Sequence, residues 1–214
     1  MINQKQLKLT QEEKKVFGTL NSPLKIQDYL EALPINFEKG GETCMSPRLV
    51  IREQKAHCFE GALLAAATLM FHGQKPLLLD LKTTVGDFDH VVALFRNGRF
   101  WGSISKTNHA VLRYREPVYI SVRELAMSFF HEYFLDNGKK TMRSFSNAFN
   151  LNRYHGEDWV TSEKPLWFID KALDAYPHKP VFPGGKTTEL RRADPVEIRA
   201  GKMTTWRKSV TKKA

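Results

Sequence analysis

The 214 residues carry 42% hydrophobic side chains and a formal net charge of +10. That length fits one domain with appendages, and that hydrophobic content can bury a substantial core, which excludes an intrinsically disordered chain. No apolar run reaches bilayer-spanning length, Met1 to Leu20 lacks the hydrophobic centre of a signal peptide, and the two cysteines, Cys44 and Cys58, make no disulfide framework. A cytoplasmic protein without membrane association is expected.

The charge is uneven. Residues 185–214 hold nine Lys/Arg against three Asp/Glu, so they read as a basic tail and residues 1–184 as one domain. Such a tail can dock on nucleic acid, and Lys186 to Lys213 would make that contact. No nucleic-acid motif accompanies the charge, so a solvated tail is the favoured reading.

Thr10 and Glu13 form a capping-box signal for a helix from Gln11 to about Leu20. Ser22-Pro23 starts a second helix ending near Leu33, before Pro34. Residues 35–45 carry Gly40-Gly41 and read as a loop. Ser46-Pro47 opens a short helical segment from Arg48 to about Lys55.

From Gly61 to Phe71 only Thr68 is polar, so the segment that Cys58 begins has no solvent face and reads as a buried central helix. His72-Gly73 ends it. Gly61, Ala62, Ala65 and Ala66 allow close approach of neighbouring chain. Cys58 then lies at the helix N-terminus, where free N–H groups and the dipole favour the thiolate.

Beyond Gly73 strands begin. Residues 77–83 form a buried strand, 85–89 a loop, and 90–95 with 100–105 a hairpin around Asn97-Gly98. A two-residue turn at Asn97-Gly98 pairs Val92 with Ser103 and His90 with Ser105. It places His90, Val92, Leu94, Trp101, Ser103 and Ser105 on one face, and Val91, Ala93, Phe95, Phe100 and Ile104 on the other. Residues 111–115 are the next strand candidate. Ser121 with Glu124 caps a helix to about Leu135, and residues 141–158 read as surface loop. Ser162 caps a helix from Glu163 to about Tyr176. Pro177, Pro180, Pro183 and Gly184-Gly185 mark a boundary, and a short helix is expected around Val196 to Trp206.

A cysteine heading a helix, a histidine opening a strand and a polar residue on the next strand are the parts of a thiol nucleophile with its base. The first-turn N–H groups, at Cys58 and Phe59, can receive an oxyanion, and Gln54 is a further donor candidate. Trp101, on the His90 face, would wall the site or serve as a core aromatic. Cys44, His57, Cys58 and His90 show no paired metal-ligand spacing, so no metal is expected, and His57 reads simply as a helix-start residue.

Cys58-Phe59-Glu60-Gly61-Ala62-Leu63-Leu64-Ala65-Ala66, His90-Val91-Val92-Ala93-Leu94-Phe95 and Asn97-Gly98-Arg99-Phe100-Trp101, in that order, resemble the core of the transglutaminase-like superfamily, a group of papain-like cysteine enzymes. The resemblance covers roughly residues 47–106. It implies an α+β fold, a central buried helix packed on an antiparallel sheet, and a Cys–His–Asp triad with Cys58 as nucleophile and His90 as base. It also implies acyl transfer on a protein, peptide or amide substrate without a cofactor, by an amidase, peptidase or transferase. Where the family commonly has Asp, four residues after Trp101, this sequence has Ser105. A serine can hold the imidazole N–H but brings no charge to an imidazolium. Asn108 is a second candidate for the third position, by analogy with Cys–His–Asn sites. The alternative is a binding module that keeps the fold without turnover.

Overall fold

A computed structural model describes residues 7–182 and 190–207. Helices α1 (Gln11–Thr19), α2 (Pro23–Ala32) and α3 (Pro47–Glu53) precede the central helix α4 (Cys58–Phe71). Each of the first three starts where its cap signal lies: Thr10, Ser22 and Ser46 accept from the backbone N–H three residues on. An N-cap of this kind is worth about 1 kcal/mol.

Every residue of α4 from Phe59 to Met70 is buried. Leu63, Leu64, Ala65 and Ala66 are wholly inaccessible. Each buried leucine contributes about 1.5–3 kcal/mol, so this helix lies at the centre of the core. Gly73, at φ 84, turns the chain out of it.

The strands are β1 (Leu77–Lys82), β2 (His90–Asn97), β3 (Phe100–Ile104), β4 (Arg115–Tyr119), β5 (Ser144–Ser146), β6 (Phe149–Asn150) and β7 (His178–Pro180). They form one antiparallel sheet in the order β4-β3-β2-β1-β5-β7, with β6 also paired to β1. The architecture is mixed helix and antiparallel sheet, consistent with α+β. One face of the sheet, through Leu78, Val91, Ala93, Phe95 and Ile104, packs with α4 and its neighbouring helices. The other, through Leu79, Leu81, Val92 and Leu94, packs on α5 (Val122–Met127), Phe129 and Met142. No helix among the described residues is long and apolar enough to cross a membrane.

The hairpin register differs from expectation by two residues. Asn97 pairs with Phe100, so Gly98-Arg99 is the turn, with Gly98 at φ 57. Leu94, not Val92, faces Ser103. An even shift preserves sidedness, so the two expected faces stand.

Other boundaries move for local reasons. The expected strand over 111–115 is instead β4, starting at Arg115, because Leu112 is left-handed (φ 60) and cannot extend. Helix α5 ends at Met127, where the Ser128 hydroxyl donates to the Leu125 carbonyl, and a 3-10 turn over Phe130–Glu132 follows. The span 141–158 is not simply loop: β5 and β6 cover the far edge of β1. Ser162 caps nothing, since its hydroxyl bonds Lys164 in a tight turn and Pro165 delays α6 to Trp167–Asp174. Pro177 leads into β7 rather than a boundary.

Of the tail, Pro183 to Glu189 and residues 208–214 lie outside the described residues. The part from 190 to 207, with α7 (Pro195–Gly201), is not simply solvated: Ala193 N–H donates to the Gly138 carbonyl and Ala110 N–H to that of Met203.

Candidate active site

Cys58 is the first residue of α4, so its N–H and that of Phe59 have no helical carbonyl to bond. Cys58 is half-buried and lines an open cleft of about 380 Å³. The cleft lies where α4, the β1–β2 connection and α6 meet. Burial alone would raise the thiol, but hydrogen bonding to His57 and His90 and their charge bring it down to about 5. The other cysteine, Cys44, is buried and pushed up to about 12, mainly by desolvation. The two thiols are thus chemically opposite.

His90 opens β2 and is 5% exposed. Its Nε2 lies 2.8 Å from the Ser105 hydroxyl. That hydroxyl donates to the Leu112 carbonyl, so its oxygen is left to accept from His90 Nε2–H. This assigns the proton to Nε2 and leaves Nδ1 for the thiol. Gln27 from α2 holds Ser105 in place, accepting from its N–H at 2.9 Å and donating to its carbonyl at 2.8 Å. Ser105 therefore holds the far nitrogen of the His90 ring.

His57, expected only to start the helix, also interacts with the thiol. Its Nε2–H donates to the Thr43 carbonyl at 3.1 Å and lies 3.4 Å from a Glu60 carboxylate oxygen. Glu38 stands 3.8 Å away. Burial works against a charge on this ring, yet the interactions with Cys58 and Glu60 lift it to about 11. Glu60 is wholly buried, and burial would raise it. It instead falls to about 2, because His57, the Met45 N–H, the His57 N–H and other donors surround it. Asn36 and Thr43 also donate to it. The same carboxylate thus folds residues 36–45 over the helix start and delivers the Thr43 carbonyl to His57. A glutamate heading an otherwise apolar helix was the available sequence signal for this.

The remaining expected residues are not brought to the thiol. Both ends of the Asn108 amide are taken by the Trp206 backbone, at 2.9 and 2.8 Å. Asn108 is therefore no orienting group for His90. Gln54 is the left-handed C-cap of α3 (φ 50), and its amide donates to Tyr29 and to the Ile51 carbonyl. It lines a different groove, with Arg48 and Arg52, and is no oxyanion donor for Cys58. Trp101 lies under the Arg96 guanidinium, 4.9 Å from its ring centre, and is not part of the cleft. Phe59 does line it.

The cleft lining is acidic: Glu38, Glu42, Asp80, Asp89, Asp170 and Asp174 stand against Lys82 and His57. Lys82 bridges Asp80, Asp89 and Asp174. Asp89, next to His90 in the chain, lines the cleft, with the Thr83 N–H and Lys82 on its oxygens. Asp170 is raised by burial and by the nearby carboxylates of Asp174 and Asp80. Phe88, almost fully exposed, and Trp167 add apolar surface. Among the described residues no group of three or more His, Cys, Asp or Glu is arranged to hold a metal ion. Scanned against protein-family models and searched against curated proteins, the chain finds no match.

Proposed function

We propose that this chain is a cysteine-dependent acyl-transfer enzyme of transglutaminase-like type, acting on an amide or peptide bond. The observation that carries the reading is the arrangement of Cys58 at a helix N-terminus on an open cleft, beside an imidazole whose far nitrogen is held by Ser105. The resemblance over residues 47–106 supports the same chemistry.

In the reading, the Cys58 sulfur attacks the substrate carbonyl carbon and forms the C–S bond. The oxyanion collects on the N–H groups of Cys58 and Phe59, at the positive end of α4. The carbon–nitrogen bond breaks, the amine leaves with a proton from the His90 imidazolium, and a thioester remains. Water or a second amine then attacks the thioester, His90 takes its proton, and the thiolate departs. Hydrolysis and transfer differ only in that second nucleophile. The acidic lining suits a substrate with positive charge near the scissile bond, and Phe88 and Trp167 suit an apolar group beside it.

The test is alkylation by iodoacetamide across pH, read by mass spectrometry. Cys58 should label alone, with a half-maximal rate near pH 5, and Cys44 should stay unlabelled in the folded protein. A profile rising only near the pH of a free thiol, about 8.5, would leave a fold without an activated nucleophile, as a binding module requires.

A further inference from the structure

We infer that His57 and Glu60 form a second, permanently charged pair that keeps the Cys58 thiolate ionised, leaving His90 as the one group that moves protons. The inference rests on the acyl-transfer reading and adds a catalytic residue, His57, with Glu60 as the positioning residue behind it.

The geometry leads there directly. Ser105 is a neutral partner, so the His90 imidazolium has no carboxylate behind it. A lone thiolate–imidazolium pair in a half-buried site would then be weakly held. The missing negative charge is present elsewhere, one turn into α4, on Glu60. Every group on Glu60 donates: Asn36, Thr43, the Met45 N–H and both the backbone and ring of His57. Facing the His57 Nε2 are only acceptors, namely the Thr43 carbonyl, Glu60 and Glu38. A ring so surrounded on Nε2 keeps its proton there, and the Glu60 carboxylate 3.4 Å away favours a second proton on Nδ1, where the ring interacts with the thiol. The thiol itself is faced by His57 and His90, while Asp80, Lys82, Asp89 and Asp170 look into the cleft from β1, the β1–β2 connection and α6. The His57 ring then stands between two anions, the Glu60 carboxylate and the Cys58 thiolate. When the thiolate is consumed by acylation, His90 gives up its proton to the leaving amine and His57 keeps its own on Glu60.

A simple Cys58–His90 dyad gives Glu60 no role in thiol ionisation, which makes Glu60→Gln the discriminating variant. We expect Glu60→Gln and His57→Gln each to cut the iodoacetamide rate at pH 6 at least roughly tenfold, with the rate restored at pH 10, because the thiol's midpoint has moved up. His90→Gln should retain a larger share of the pH 6 rate than His57→Gln does. Wild-type rates at pH 6 in Glu60→Gln and His57→Gln, with loss in His90→Gln, would overturn the inference while leaving the acyl-transfer reading intact. An ordinary thiol in the wild-type protein would remove both. If Glu60→Gln does not fold, nitrogen-15 spectra of histidine in the wild-type chain decide: His57 should show two protonated ring nitrogens at pH 9, and one protonated nitrogen there refutes the pair.

Discussion

Ser105 and His90 are diagonal neighbours across the β2–β3 hairpin, not a directly opposed pair, and still meet at 2.8 Å. The strand pairing places Leu94 opposite Ser103 and so carries Ser105 beside Val92, two residues along the strand from His90. Because that hydroxyl is committed to the Leu112 carbonyl as donor, it holds the imidazole in one tautomer.

Ser105→Ala therefore removes two bonds at once. Ser105 is wholly buried, so the Leu112 carbonyl and the His90 N–H would lose their partner away from water. The expected cost is about 1–3 kcal/mol in urea denaturation. The slowly exchanging Nε2–H resonance of His90 should disappear, while Cys58 alkylation at pH 6 should stay within about threefold of wild type, since His57 is untouched. A retained resonance with unchanged stability would mean that Ser105 does not orient the ring.

That pairing also shows what the sequence could and could not tell. The alternation of β2 and β3 gave the correct faces, because sidedness survives any even slip, whereas turn chemistry at Arg96-Asn97-Gly98-Arg99 does not choose between two adjacent two-residue turns. Helix α4 was legible throughout, since twelve successive buried residues need no partner to be recognised. The strands β5, β6 and β7 were not, being two or three residues long and made only by pairing, β5 and β6 with β1 and β7 with β5. Cys58, His90 and Ser105 follow from local pattern and resemblance. His57 does not, because its role depends on Thr43 and Glu38 from a loop whose path is fixed by Glu60. Asn108 fitted by analogy and Gln54 as a possible oxyanion donor, and each is already used by backbone groups elsewhere.

Linked protonation makes the Cys58–His57 pair visible in stability. Cys58 falls from 9.0 to about 5 on folding and His57 rises from 6.5 to about 11. Between 6.5 and 9.0 both states hold one proton on these two sites, so the pair contributes no slope there. Below 6.5 the unfolded chain binds the extra proton, and stability falls as pH drops toward 5. Above 9.0 the folded state holds the extra proton, and stability falls as pH rises toward 11. Cys58→Ser removes the compensating thiol, so from 6.5 to 9.0 its stability should decline relative to wild type. His178, raised chiefly by its hydrogen bond to Asp80, titrates in both proteins and cancels in the difference. Parallel pH profiles for the two proteins, from urea melts, would show that the thiol is un-ionised.

Gly61 is the point where α4 is crossed by the Lys106 stem. A Cβ there would sit 2.5 Å from Lys106 Cβ. The ammonium of Lys106, 1% exposed, caps α2 by donating to the carbonyls of Leu30 and Leu33. Gly61→Ala must displace this side chain and its two bonds, which should cost about 1–3 kcal/mol in spite of alanine's better helix propensity. A stabilised Gly61→Ala variant in urea melts would show that Lys106 moves aside freely.

The acidic lining of the cleft can be read without knowing the substrate. Six carboxylates face Cys58 against Lys82 and His57, so a cationic reagent should concentrate beside the thiol and an anionic one should be repelled. The trimethylammonium and sulfonate forms of an ethyl methanethiosulfonate are matched in size and differ in charge. At low salt the cationic form should modify Cys58 faster, relative to a free thiol in solution, by roughly tenfold or more. The ratio should shrink as ionic strength rises, because Glu42, Asp89 and Asp174 are exposed and are screened. Asp170→Asn, which removes a carboxylate from the α6 side of the cleft, should lower the ratio without altering the alkylation midpoint of Cys58. Equal rates for the two reagents at low salt would mean that Lys82 and the imidazoliums already cancel the lining, and that positive charge confers no advantage on a substrate.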